Sequence, residues 1–229
     1  MTTSPGTAIG IDVGGTKISG ALVDDAGRIT RREQVATPAD DTAAIIAATA
    51  ELVGTLESAA AGPVAGVGMA CAAFVDARAG HVWFAPNLPW RDLDLATEVG
   101  TAIGREVVVD NDANAAAWGE YRHGAGSDCD DMLLVTVGTG VGGGCIVDDH
   151  LLRGAFGIGG EIGHVTLDPD GPRCGCGNHG CLEVFASGTA LERAARELVS
   201  TTSSRAEALR ERCGGDVEAL SGRDVTDLA

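Results

Sequence analysis

The chain has 229 residues, a formal net charge of −17, 45% hydrophobic residues, 34 glycines and only eight aromatics (three Trp, one Tyr, four Phe). That length suits one large domain or two modest ones. The acidic balance, with no basic run to neutralise phosphates, excludes nucleic acid and an anionic membrane surface as expected partners. No apolar stretch is long enough for a transmembrane helix, and "MTTSPGTAIGID" lacks a basic, signal-type start, so a cytoplasmic location is expected.

In chain order, "AIGIDV", "KISGALVD" and "RITRREQVAT" over residues 8–37 read as three short strands with turns at Gly14-Gly15 and Asp25-Ala26-Gly27, a meander. Residues 40–61 begin with an Asp cap and continue as an Ala/Ile/Leu helix. "VAGVGMAC" (64–71) is an unbroken apolar run and reads as a buried parallel strand. Residues 74–90, with two prolines in "FAPNLPW", read as irregular. A helix near 92–104, a buried strand "EVVVDND" and a helix from Ala113 to about His123 complete a β-β-β-α-β-α-β-α lobe, residues 1–123.

At residue 131 the opening pattern recurs. "LLVTVGTGVGGGCIVDDHLLR" aligns with "IGIDVGGTKISGALVDDAGRI" as an internal repeat of strand, Gly/Thr turn and strand. Residues 124–229 are therefore expected to form a second α/β lobe. After Val184-Phe185 the pattern predicts only helices ("GTALERAARELV", "SRAEALRER"), so by its own repeat the second lobe is incomplete.

Four stretches carry candidate chemistry. "DVGGTK" (Asp12–Lys17) is either an ordinary tight hairpin or a turn whose backbone N–H groups approach phosphate oxygens, with Thr16 adding a hydroxyl and Asp12 placed to hold a magnesium-bound water. "VGTGVGGG" (Val137–Gly144) puts five glycines in seven residues after a strand, which is costly in backbone entropy. It is either a second phosphate loop or a sharply bent barrel corner. "VVVDNDANAAAW" delivers Asp110, Asn111 and Asp112 to the C-terminal end of a strand, where α/β sheets place ligands. One of the three suffices to cap the following helix, which leaves a carboxylate able to accept a proton from an attacking hydroxyl. Finally, "GEIGHVTLDPDGPRCGCGNHGCLE" gathers His164, Cys174, Cys176 and Cys181, a donor set of zinc type. Seven cysteines, three of them clustered, fit a metal in a reducing compartment better than a disulfide framework. Four protein ligands leave no open position, so such a zinc is structural. His179 is a fifth candidate; His123 and His150 read as surface residues.

Together these motifs, with "LPW", resemble the ROK family of sugar kinases, nearest its glucokinases. The resemblance implies an α/β, actin/hexokinase-like (ribonuclease H-like) two-lobe fold with sugar and ATP in the cleft. It implies Asp112 as the base toward the sugar 6-hydroxyl, and Asn87, Asn111, Asp112 itself, Glu161, His164 and Glu183 as sugar contacts. Asp12, Gly14, Gly15, Thr16 and Lys17 match its first phosphate loop, and Gly138, Thr139, Gly140 and Gly142 its second. His164, Cys174, Cys176 and Cys181 match its zinc ligands. ATP with Mg2+, structural zinc, a hexose (glucose by default), a place in glycolysis and a homodimer follow as expectations. The alternatives are an N-acetylmannosamine or fructose kinase, a catalytically impaired sugar-binding remnant, and a sugar-sensing repressor. For the repressor, a first strand near residue 8 leaves no room for a helix-turn-helix.

Overall fold

The structure, a computed structural model, describes residues 6–228. It separates into two compact units. One holds the residues up to Leu134 together with Gly144–Gly160; the other holds Val135–Gly143 and the residues from Glu161 onward.

The first unit is built on a five-stranded sheet in the order β3-β2-β1-β4-β8. β1 (Thr7–Val13), β2 (Lys17–Val23) and β3 (Ile29–Ala36) form the expected antiparallel meander. β4 (Val64–Cys71) and β8 (Val107–Asn111) add in parallel. Period-two alternation sends Ile9, Ile11 and Val13 to one face, and the register Ile11↔Met69↔Val109 extends that face across the parallel strands. α1 (Thr42–Ala59) covers it with Ile45, Leu52, Val53 and Leu56, each fully buried side chain stabilising by about 1.5–3 kcal/mol. Asp41 caps α1, accepting from the amides of Ala43 and Ala44. Gly20 is needed for close approach: a Cβ there would stand 2.7 Å from Leu56 Cδ1 and 3.1 Å from Leu52 Cδ2.

Two expectations are corrected here. The apolar runs of β4 and β8 are not buried on both faces. Val108 is 69% exposed, and it lines an open groove of about 990 Å3 with Gly10, Gly68, Ala70 and Trp118. Three consecutive valines identify a central strand without saying how many of its faces are covered. Residues 74–90 are not irregular either. β5 (Phe74–Asp76), β6 (His81–Phe84) and β7 (Arg91–Leu93) form a separate antiparallel sheet. Trp90, fully buried, anchors it in the core. α2 (Leu95–Ile103) follows, capped by Asp94 and ended by Gly104 in the left-handed conformation (φ 71°). α3 (Asp112–His123) follows β8 directly.

β9 (Met132–Val137), β10 (Val141–Val147) and β11 (His150–Leu151) form a three-stranded sheet in the order β11-β10-β9, the same connectivity as β3-β2-β1. The internal repeat is thus a repeated meander. Ile146 and Leu151 pack with Ala117 and Tyr121 of α3, which is why residues 144–160 belong to the first unit although the repeat placed them beyond a boundary at 123/124.

In the second unit, α4 (Glu183–Ala186), α5 (Gly188–Val199), α6 (Glu207–Cys213) and α7 (Gly222–Asp227) follow a long segment of turns. Ala195, Val199, Ala206, Leu209 and Leu220 form their small core. Among the described residues no strand follows β11. No helix among them is long and apolar enough to cross a membrane.

Candidate active site

β8 ends in Asp110 and Asn111 and α3 begins at Asp112, and the structure gives the three different tasks. Asp110 is engaged from several sides. Its Oδ2 accepts from Arg153 Nη2 at 2.6 Å and Nε at 3.0 Å, and its Oδ1 accepts from Asn111 N at 2.9 Å. Asn111 is the cap: its Oδ1 accepts from Asn114 N at 3.0 Å, and its Nδ2 donates to Ala73 O at 3.2 Å. Asp112 stands in the first turn of α3, where its Oδ1 accepts from Ala113 N at 2.9 Å. Burial nevertheless raises its carboxyl above the usual range, against those backbone hydrogen bonds. Asp12, at the end of β1, is raised as well, first by burial and then by the charge of Asp112, with Lys17 pulling the other way. Beneath them the Cys71 thiol is fully buried and strongly raised, by burial and then by Asp112, Asp110 and Asp12. Two half-desolvated carboxylates therefore share one end of the sheet, and a raised carboxyl at a strand end is a proton acceptor tuned toward neutral pH.

The β1–β2 turn is closed by Gly14 N donating to Lys17 O at 3.0 Å, and Thr37 Oγ1 donates to Gly14 O at 2.7 Å. Neither Gly14 nor Gly15 needs a positive φ. Gly15 is instead closely packed: a Cβ there would lie 3.3 Å from Asn87 O and 3.4 Å from Asn87 Cβ. The first phosphate-loop candidate and Asn87 are thus adjacent.

In the second unit, the Gly138–Gly140 turn closes with Gly138 N donating to Gly140 O at 3.0 Å and is tied to the start of α5, with Gly188 N donating to Gly138 O at 2.7 Å and Thr189 Oγ1 to Thr139 O at 2.8 Å. Glu183 Oε2 accepts from Val141 N at 3.0 Å, and a Cβ on Gly140 would stand 2.4 Å from that oxygen. The run of glycines admits this carboxylate as well as leaving Gly138 in open space.

His164, Cys174, Cys176 and Cys181 converge, with their ligand atoms all within 4.8 Å of one another. Cys176 Sγ and Cys181 Sγ are 3.7 Å apart, and Cys174 Sγ is 3.6 Å from His164 Nδ1. Ligands on a tetrahedral zinc with Zn–S of about 2.3 Å stand about 3.8 Å apart, so the four residues fit such an ion. His164 Nε2 faces Glu161 Oε2 at 3.9 Å, and Glu183 Oε1 lies 3.6 Å from Cys174 Sγ. Burial pushes the Cys174 thiol up to about 12 and raises Cys181 as well, so a cation is what would make them thiolates near neutral pH. The turn around them depends on Gly180 (φ 60°), whose absent Cβ would collide with Asp168 O at 1.5 Å. His179 points elsewhere, toward Gly171 O; His123 and His150 are exposed.

The structure therefore gathers the anticipated residues into two sets. Asp12, Gly14, Gly15, Thr16, Lys17, Asn87, Asn111 and Asp112 belong to the first unit. Gly138, Thr139, Gly140, Gly142, Glu161, His164, the three cysteines and Glu183 belong to the second. Sequence reasoning missed Arg153 and Arg91, because isolated arginines beside a turn carry no pattern.

Comparison with known proteins identifies the family. Residues 8–227 match the ROK family. The chain is 41% identical over 225 residues to a glucokinase of Streptomyces coelicolor, covering 98% of this chain and 70% of that one. It is 40% identical over 194 residues to an N-acetylmannosamine kinase of Salmonella agona, covering 83% of this chain and 65% of that one. A ROK family glucokinase from Streptomyces griseus, solved with glucose and AMPPNP, superposes with a TM-score of 0.85 at 43% identity, over 97% of this chain and 70% of the other. The fold is accordingly α/β of the actin/hexokinase-like class. With a family match over nearly its whole length and the strand-end carboxylates, glycine turns and His/Cys cluster in place, this chain belongs to the ROK family.

Proposed function

We propose that the protein transfers the γ-phosphoryl group of ATP to the 6-hydroxyl of glucose. That it is a sugar kinase follows from its family and its glucokinase relatives. The glucose assignment rests on those relatives, and the assignment of roles rests on one observation above all: Asp112, raised by burial, at the end of a parallel strand and the start of a helix.

Asp112 takes the proton as the sugar hydroxyl attacks. A raised carboxyl is better matched to that task than an ordinary one. Asn111 and Asn87 hold sugar hydroxyls, as do Glu161, His164 and Glu183. Asp12, Gly14, Gly15, Thr16 and Lys17, with Gly138, Thr139, Gly140 and Gly142, hold the phosphates through backbone N–H groups and the lysine charge. Magnesium, when bound, neutralises charge on the transferring phosphoryl group; Asp12 is the residue nearest that role. Zinc held by His164, Cys174, Cys176 and Cys181 is structural. Were His164 to bind it through Nδ1, which lies 3.6 Å from Cys174 Sγ, its Nε2 would face Glu161 Oε2 and would be placed to meet a sugar hydroxyl. The protein acts in the cytoplasm at the entry of glucose into glycolysis, as a homodimer.

A second reading is an N-acetylmannosamine kinase, favoured by the 40% identity to the Salmonella enzyme. Incubating the zinc-loaded protein with ATP, Mg2+ and each of glucose, N-acetylmannosamine and fructose, and identifying products by phosphorus NMR, separates the two. Glucose 6-phosphate as the main product is expected. A phosphorylated N-acetylmannosamine with no glucose product would replace the substrate assignment, and no sugar phosphate at all would overturn the reading.

A further inference from the structure

Asn87 lies exposed at the tip of a short loop, Ala85–Trp90, between β6 and β7. Such a tip is mobile unless tied down. Three observations show how this one is tied. Its ends are bonded by Ala85 N donating to Trp90 O at 3.1 Å. Leu88 and Trp90, on either side of Pro89, are buried in the main core. And one nitrogen of Arg91, Nη1, donates to three main-chain carbonyls of the loop: Ala85 O at 2.7 Å, Trp90 O at 2.6 Å and Leu88 O at 3.2 Å. The guanidinium is itself fixed, its Cζ 3.9 Å from the centroid of the Phe84 ring. Across the loop, the backbone of Asn87 rests against Gly15 of the β1–β2 turn.

We infer that Arg91 is a positioning residue for the sugar site: it gathers the carbonyls of the Asn87 loop onto one guanidinium and so fixes Asn87 against the Gly14–Gly15 turn. The inference rests on the proposed sugar-kinase reading for the role of Asn87, and on geometry alone for the clamp. The charge matters because carbonyls converging on one point repel one another unless a donor lies between them, and a cation is a stronger donor than a neutral group. Lysine supplies charge but neither the planar donors nor the stacking on Phe84.

The test is a double-mutant cycle on Arg91 and Asn87, read as KM for glucose against kcat. Arg91→Ala is expected to raise KM about tenfold with kcat little changed, since the loop loses its position rather than its chemistry. Asn87→Ala is expected to do the same, and Arg91→Ala added to Asn87→Ala to cost little more. Added guanidinium ion is expected to restore part of the loss in Arg91→Ala and none in Asn87→Ala. Fully additive losses, or an unchanged KM in Arg91→Ala, would overturn the inference. Should Arg91→Ala fold poorly, Arg91→Lys replaces it, with a smaller rise in KM expected and an unchanged KM contradicting. Amide exchange in a peptide covering residues 85–90 reads the clamp without turnover: it should quicken in either variant, and unchanged exchange would sink the clamp. If the wild-type protein binds no hexose, the functional reading fails while the exchange measurement still decides whether Arg91 holds the loop.

Discussion

The strand-end carboxylates of the first unit and the His/Cys segment of the second are held in place by different means. Asp12 stands near the end of β1, in a register fixed by an apolar sheet face that α1 and α2 cover, and Asp112 opens α3 directly after β8 of the same sheet. Cys174, Cys176 and Cys181 stand in turns, with one 3-10 turn and two isolated bridges for regular structure, in a small apolar cluster with Val184. A packed sheet positions its functional groups through the hydrophobic effect and needs no ligand. A segment of turns with so small a core needs another source of order, and four convergent soft ligands provide one when a metal binds.

The largest expected effect comes from removing that source. Structural zinc contributes an apparent binding free energy of about 10–16 kcal/mol in small domains, so Cys181→Ala is expected to lose bound zinc and disorder residues 161–183, measured by metal content and amide exchange. All three tryptophans, Trp83, Trp90 and Trp118, lie in the first unit. Their emission should stay unchanged in this variant, and a red shift would show that the two regions are not independently ordered.

Next is Asp112→Asn. General-base catalysis is worth roughly 10²–10⁴-fold, so turnover should fall by that order while glucose binding, read by calorimetry, stays nearly intact. Equal loss of both would move Asp112 from proton acceptor to sugar contact. Leu56→Ala removes a fully buried side chain that fills the space above Gly20. Chemical denaturation should show a loss of about 2–5 kcal/mol, with zinc content unaffected.

The smallest effect is on stability against pH. Asp12 has a folded-state pKa above its unfolded value of 3.8. The folded state then binds more protons between the two values, and stability falls as pH rises through that window. The cost of ionising the buried carboxyl therefore grows with pH, so the melting temperature of Asp12→Asn should gain on wild type as pH rises, and the advantage should vanish as pH falls below the unfolded value. An advantage independent of pH would assign the gain to something other than ionisation.

The parts of this molecule legible in its sequence were those with a strong local period or a dense ligand pattern. β1 and β2 alternate cleanly about a Gly-Gly turn, and α1 opens on Asp41 and repeats its apolar face over five turns. The His/Cys spacing points to a cluster, and the fold brings it within tetrahedral reach. What was not legible depended on distant partners. β5, β6 and β7 have only three or four residues each, too few to show alternation, and they form because Leu88 and Trp90 reach the core. Val107, Val108 and Val109 look alike in sequence, yet only the first and third are buried. Glycines 15 and 140 sit in turns that suggest backbone freedom, yet neither has a positive φ; they stand close to Asn87 and to Glu183. The division of labour among Asp110, Asn111 and Asp112 was set by Arg153 and Ala73, neither of which is near them in sequence.

The most direct measurement is a calorimetric titration of glucose into the zinc-loaded protein and into the same protein stripped by a chelator. Saturable binding is expected to the first and at least about tenfold weaker binding to the second, the order by which loss of groups coupled to a metal site lowers activity. Equal affinity in the two, or no glucose binding by well-folded zinc-loaded protein, would contradict a glucose site ordered by the His164, Cys174, Cys176 and Cys181 cluster.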